Sequence, residues 1–354
     1  MSHALTRRTL LGAALLAPAA ARAADPLAAA TITPADGTTV GRARPGPWRI
    51  AFSDGYGATP WRRMCLAELR RAAAARPHEV AQFVVRDAGG YVGQQVADIA
   101  GLIRDRVDAI LCIPAAPDPL IPALTDATAR GIATVVLTLP VGGTAWSSYV
   151  GTDKAAKGAA MARWLAGALG GRGRIVGLGG LPNNGYSQAL WAGAQPVFTD
   201  GGIDVLRFAW ANWDRTRARA VMAGLIGAFP AIDGVWCDGG QDAAGAEQAL
   251  LAAGRQPVPV TGDDNNGLLK LYASVGARYP GFRFALLSEP TWQGTIALDT
   301  ALKLLAGATV PKRQYVLPAL ITNQNYSQYI RPRLPDDVLV DTSLDDATLR
   351  RSFA

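Results

Sequence analysis

Nine short apolar runs, each followed by a longer stretch of mixed polarity, constrain this chain more than any other feature. The runs are Trp48–Phe52, Val80–Val85, Ala109–Ile113, Thr134–Leu137, Arg174–Leu178, Val205–Ala209, Gly234–Cys237, Val258–Thr261 and Phe284–Leu287. Most lack polar alternation, as strands covered on both faces do. Between them lie stretches with apolar residues three and four apart: Trp61–Ala75, Gln94–Arg106, Ala155–Leu169, Arg215–Phe229, Ala243–Ala253 and Thr291–Leu305. Alternating strands and helices build parallel sheets with helices on both faces. Nine strands are too many for one doubly wound unit of five or six. The expected fold class is therefore α/β, with two doubly wound parallel-sheet lobes and a change of lobe near Tyr149–Asp153.

The start of the chain reads as an address. Arg7 and Arg8 precede an apolar stretch of 11 residues, Leu10 to Ala20, and the small-residue pattern Ala21-Arg22-Ala23 follows. A charged start, an apolar middle and a small-residue end make a secretory signal. The paired arginines before Leu-Leu point to the twin-arginine route, with an ordinary signal as the alternative. The stretch is well short of the roughly 20 residues that span a bilayer. Cleavage after residues 1–24 removes Arg7, Arg8 and Arg22 and no acid, lowering the formal net charge from +7 to +4. The remaining bases are scattered, which speaks against nucleic-acid binding. Residues 25–46, rich in Ala, Thr, Pro and Gly without a period, read as a flexible lead-in. Cys65, Cys112 and Cys237 form no CxxC pair, and an odd count leaves at least one thiol free.

Ligands of open α/β sheets bind outside the carboxyl ends of the strands, so the segments just after each run carry the functional signal. They read Ser53-Asp54-Gly55-Tyr56 with Trp61-Arg62, then Gly179-Gly180-Leu181-Pro182-Asn183-Asn184, Asn212-Trp213-Asp214, Asp238-Gly239-Gly240-Gln241-Asp242, Gly262-Asp263-Asp264-Asn265-Asn266 and Ser288-Glu289-Pro290-Thr291-Trp292. Carboxylates and amides beside indoles suit a sugar or polyol: hydroxyls need acceptors and donors, and C–H faces need a flat ring. The ligand-binding candidates are Ser53, Tyr56, Trp61, Arg62, Tyr91, Asn183, Asn184, Trp213, Asp238, Asp264, Asn265 and Glu289. Asp214, Asp242 and Asn266 also suit helix caps, and Trp61 and Trp292 suit packing. Arg62 and Arg215 are the main cations at these tips, so a neutral ligand is favoured over an anion.

Several chemistries lack their residues. Gly177-Leu178-Gly179-Gly180-Leu181-Pro182 opens like a dinucleotide fingerprint, but Pro182 stands at the third glycine and has no N–H. After signal removal His78 is the one histidine, in a turn before a strand and at the edge away from the tips. That argues against a Ser/His/Asp hydrolase and a zinc site. A glycosidase built on two of Asp238, Asp264 and Glu289 stays open.

The ordered series of segments resembles the sugar-binding proteins of ABC importers, in the ribose-binding-like, type I periplasmic group. Ile50-Ala51-Phe52-Ser53 through Trp61-Arg62 is similar to the family's first strand and aromatic loop. Asp233-Gly234-Val235-Trp236-Cys237-Asp238 with Ala243-Ala244-Gly245-Ala246, Val260-Thr261-Gly262-Asp263-Asp264-Asn265 and Ile321-Thr322-Asn323-Gln324-Asn325 carry the rest. The resemblance implies two lobes joined by a three-strand hinge, residues 47–148 with about 289–317 and residues 149–288 with about 318–354. It implies ligand contacts at Ser53, Trp61, Trp213, Asp264 and Glu289, a membrane permease as partner, a monomer, no cofactor and no catalysis. It departs from the ribose pattern at Gly239, at Thr138-Leu139, across Ser187–Gly193 and at Glu289, so ribose is not implied. A sugar-responsive repressor would need a helix-turn-helix where the export signal stands. A receptor for a sensor kinase or chemoreceptor is the alternative role.

Overall fold

The computed structural model describes residues 32–57 and 59–353; the export signal read above lies outside the described residues. In chain order the elements are β1 (Ile32–Val40), β2 (Trp48–Asp54), α1 (Pro60–Ala74), β3 (Val80–Asp87), α2 (Val92–Arg104), β4 (Ala109–Ile113), α3 (Ile121–Ala129), β5 (Ala133–Leu137), β6 (Ser148–Gly151), α4 (Lys154–Ala168), β7 (Gly173–Gly179), α5 (Gly185–Asp200), β8 (Ile203–Trp210), α6 (Arg215–Ala228), β9 (Gly234–Cys237), α7 (Gly240–Ala252), β10 (Val260–Gly262), α8 (Asn266–Val275), β11 (Phe284–Leu287), α9 (Gln293–Leu305), β12 (Thr309–Val316), β13 (Leu320–Thr322) and α10 (Asp346–Phe353). All nine expected strands are present within two residues of their expected starts.

Two sheets form. The first runs β1-β12-β6-β5-β4-β2-β3 and the second β13-β11-β10-β9-β7-β8. Pairing is parallel except at one edge of each sheet, where β1 meets β12 and β13 meets β11. Apolar faces of α1 and α9 cover one side of the first sheet and α2 and α3 the other. On the second sheet, α6, α7 and α8 cover one side and α4 and α5 the other. Burial on both faces is why these strands carry unbroken apolar runs. The chain passes between sheets after β6, after β11 and after β12, making three crossing segments.

The lead-in needs correction, because residues 32–40 are not loose: they form β1 along the edge of β12. Its period is hidden by mostly exposed side chains and by a register shift between Ala35 and Thr38, where Asp36 and Gly37 take φ of 60° and 79°. Asp214 caps α6 as expected, accepting from the Arg217 N–H at 2.7 Å. Asp242 and Asn266 do not cap; those places fall to Gly239 and Asn265, one or more residues earlier. All three cysteines are buried and free, and burial pushes the Cys112 thiol up to about 12. No described helix is long and apolar enough to cross a membrane.

Candidate functional site

The strand ends that carry the candidates lie at the carboxyl edges of the two sheets. On the second sheet the centre of the arrangement is Trp213. Asn212 and Trp213 have φ of 63° and 52°, a conformation costly for a bulky residue and retained only where the surroundings enforce it. Here the indole N–H donates to Asp238 Oδ1 at 2.9 Å, and Asp238 Oδ2 accepts from the Gly180 N–H at 3.1 Å. The ring lies so close over Gly180 and Gly239 that a Cβ on either would approach it to 1.9 and 2.5 Å. Only glycine admits the indole at those two positions. Tyr186 meets the ring edge-on, with centroids 6.0 Å apart. Trp213 remains partly exposed while Asp238 is buried, and burial raises the Asp238 pKa.

The crossings bring an ion cluster beside this platform. Glu289, on the second crossing, accepts from Lys154 Nζ at 2.7 Å and Gln293 Nε2 at 3.0 Å through Oε1. Its Oε2 takes the Thr152 hydroxyl at 2.8 Å and Lys157 Nζ at 3.2 Å. Lys157 also donates to the Tyr186 hydroxyl at 2.8 Å. Burial alone would raise the Glu289 carboxyl, but the two ammonium groups pull it down to about 2. Lys154 falls to about 8, because burial outweighs its share of a carboxylate that Lys157 also claims. Two ammonium groups thus divide one carboxylate. Asp263 completes this side, accepting from the Gly240 N–H at 2.7 Å, with burial pushing it up to about 7.

On the first sheet, Asp54 Oδ1 holds Arg62 Nη1 at 2.6 Å and the Tyr56 N–H at 3.1 Å. The Arg62 guanidinium lies over the Tyr56 and Trp61 rings at 5.9 and 5.8 Å. Trp61 donates to the Glu289 carbonyl at 2.6 Å, tying the aromatic loop to the second crossing. Ser53 is buried and its hydroxyl accepts from Gln95 Nε2 at 3.2 Å. Tyr91 is 75 % exposed at the start of α2.

The structure therefore brings together Tyr56, Trp61, Arg62, Trp213, Asp238 and Glu289 at the strand ends, and it turns others aside. Asp264 is buried against the crossings, where it accepts from the backbone N–H groups of Glu289 and Asp341 at 3.3 and 2.7 Å. Asn265 caps α8 by accepting from the Leu268 N–H, and Asn184 caps α5 by accepting from the Tyr186 N–H. Asn183 is exposed. Arg215 pairs with Asp336 and Asp337 at 2.5 and 3.1 Å. The count of cations at the tips also needs correction. Lys154 and Lys157 enter from the first turn of α4, behind a crossing, whereas Arg215 is neutralised elsewhere. Lys154, Lys157 and Tyr186 escaped the sequence reading, and Asp263 stood among the strand-tip segments without being chosen as a candidate. The signal for the lysines was present in their three-residue spacing just past the expected change of lobe.

Among the described residues, no group of three or more His, Cys, Asp or Glu is placed to hold a metal ion. A separate cavity of about 700 Å³ lies at the opposite edge of the first sheet, among Arg44, Arg104, Arg106 and Arg130. Arg104 and Arg130 stand at the ends of α2 and α3, where helix carbonyls favour cations; this cavity is not part of the cleft.

Known proteins share this fold. A family model described as "Periplasmic binding protein domain" matches residues 50–309. A xylitol-binding protein of Mycolicibacterium smegmatis is 34% identical over 185 residues, covering 52% of this chain and 53% of that protein. The match thus spans about half the length of that relative. The ribose import binding protein of Bacillus subtilis is 26% identical over 229 residues, covering 65% of this chain and 73% of its own. Among solved structures, an ABC transporter solute binding protein from Thermobispora bispora superimposes with TM-score 0.73 at 22% identity, over 82% of this chain and 90% of that one. A fructose-binding periplasmic domain of a hybrid two-component system does so with TM-score 0.68 at 23% identity, over 79% and 92%. These two share the fold.

Proposed function

The chain belongs to the periplasmic binding protein domain family, and we propose that it captures a neutral monosaccharide or sugar alcohol and delivers it to an ABC importer. The family implies a periplasmic location, and Arg7 with Arg8 supports export by the twin-arginine route. The observation that carries the ligand class is the Trp213 platform. A strained, partly exposed indole is fixed by a buried carboxylate and two glycines, and it presents a flat face where C–H groups of a ring or chain pack. Around it Asp54 pairs with Arg62, and Lys154 and Lys157 share Glu289 with Asp238 and Asp263 nearby, so each cation stands beside a carboxylate, which favours an uncharged ligand. Glu289 has both oxygens committed to protein donors, so it shapes the cleft and does no chemistry on a bound sugar. Asp263 replaces Asp264 in the proposed contact set, alongside Tyr56, Trp61, Arg62, Trp213, Asp238 and Lys157.

Capture proceeds by closure of the lobes, since a ligand touching both favours the closed form. A thermal-shift screen over pentoses, hexoses, inositols and linear polyols tests the ligand class. A binder raises stability by RT ln(1 + [L]/Kd), whereas a screen positive only for anions would overturn the reading. Trp213→Ala should weaken the best ligand roughly tenfold or more, as loss of a buried aromatic face does, in titration calorimetry; unchanged affinity removes Trp213 from the site. The transport role is tested by uptake of that ligand in a strain lacking this chain, where normal uptake would favour a sensing partner.

A further inference from the structure

The chain continues past β13, and this extension joins the two lobes a fourth time. Residues 331–338 lie along the start of α8 in the second lobe. The Asn266 and Gly267 N–H groups donate to the carbonyls of Val338 and Asp336, both at 2.9 Å. The Asn266 side chain accepts from the Arg331 N–H at 2.9 Å and donates to the Pro335 carbonyl at 3.0 Å. Lys270 and Arg215 hold Asp336 at 2.9 and 2.5 Å.

Residue 341 then crosses the hinge. Asp341 accepts from the Ser288 hydroxyl at 2.5 Å and the Trp292 indole at 3.0 Å. Residues 342–353 finally dock on α1 of the first lobe. Glu68, fully buried on α1, accepts from the Thr342 hydroxyl at 2.8 Å, the Ser343 N–H at 2.9 Å and the Ser343 hydroxyl at 2.5 Å. Met64 packs in one apolar cluster with Leu334, Val338, Leu339, Leu344 and Leu349, and Arg63 lies over the Phe353 ring at 5.0 Å.

Both anchoring helices begin at the carboxyl edges of their sheets, where lobe separation is felt. The segment has no slack: only Leu339, Val340 and Asp341 stand between its last bond to α8 and its first bond to Glu68. Three residues reach about 10 Å when extended. We propose that residues 331–353 form a clasp that holds the lobes together in the absence of ligand, and that wide opening of the cleft requires its release from α1. The family model ends at residue 309, so the clasp lies beyond the stretch that it matches. It holds whatever the ligand proves to be.

The test needs no ligand. Cysteines introduced by Gln94→Cys on α2 and Arg217→Cys on α6, both exposed positions on opposite lobes, accept spin labels, while the three native thiols are buried. Pulsed electron resonance on the otherwise wild-type ligand-free chain should give one narrow distance distribution. Glu68→Ala, which leaves the Thr342 and Ser343 donors unpaired, should broaden and lengthen it. The double variant Arg215→Ala/Lys270→Ala should do the same from the other end, and its half-buried sites leave both cores intact should Glu68→Ala fail to fold. A wild-type distribution that is already broad overturns the clasp. So does a narrow one unchanged in a folded variant.

Discussion

Glu289→Ala should lower the stability of the folded protein by about 3–5 kcal/mol, the range found when one partner of a buried ion pair is removed. The size follows from what is left behind. Lys154 and Lys157 are 5 % and 1 % exposed in their side chains, and Glu289 is their shared anion. Without it two ammonium groups stand in a low-dielectric pocket, and Thr152 and Gln293 each lose an acceptor. Glu289→Gln keeps the shape and some hydrogen bonds but not the charge, so it should fall between the wild type and alanine. Urea unfolding measures both. A Glu289→Ala stability within about 1 kcal/mol of wild type, the scale of an exposed pair, would show that the cluster is not what holds the crossings. The loss should also ease in alkali: burial already lowers the Lys154 ammonium, so in the variant raising the pH lets it shed its proton, and part of the uncompensated charge disappears.

The strands were legible because each is buried on both faces and so carries an apolar run that no surface pattern interrupts. β1 was not, because an edge strand with few buried side chains and a shift at Asp36-Gly37 writes no period. At the site, reading the residues just after each strand reached Trp213 and Asp238, which meet because β8 and β9 flank β7 and set the loops after them side by side. It chose Asp264 over Asp263, and a single position decides between a carboxylate bound into the crossings and one beside Lys157. Lys154 and Lys157 follow β6, a strand that the nine apolar runs do not include, so no tip was read there, and their meaning comes when the second crossing lays Glu289 across them. Residues 331–353 have the same character. Their positions are fixed by Asn266 and Glu68, which lie far away in sequence, so no local pattern announces them.

The protein should be more stable near pH 5 than near pH 8, by a few kcal/mol, because of carboxyl groups that folding keeps protonated. Asp263 titrates at about 7 in the folded protein, raised by burial and by the nearby Asp238 and Glu289 charges against the pull of Lys157. Asp238, Asp242 and Glu247 move upward for the same first reason, burial. Both Asp242 oxygens and Glu247 Oε1 lack hydrogen-bond partners. A group whose folded pKa lies above its unfolded value binds a proton in the native state that the unfolded chain has already lost. Its contribution is complete below about pH 4, the ordinary carboxyl range, and is lost as the pH climbs through the folded value near 7. A tenfold difference in proton affinity between the folded and unfolded chain corresponds to about 1.4 kcal/mol, and the partial exposure of Asp263 brings its share below the full amount.

Glu289 acts with the opposite sign. Its folded value near 2 gives stability that is present above about pH 4.5 and lost on strong acidification. The two trends place the maximum in mild acid. Lys154, held at about 8 when folded, adds some stability back between about pH 8 and its ordinary value near 10. Urea midpoints from mild acid to alkali measure the curve. Asp263→Asn should flatten it between pH 5 and pH 8, and Asp242→Asn should make the protein more stable at pH 8 than the wild type, since it removes a charge that has no partner. A wild-type midpoint that stays level from pH 5 to pH 8 would mean that these carboxyls ionise in place, with water reaching them beneath the Trp213 platform.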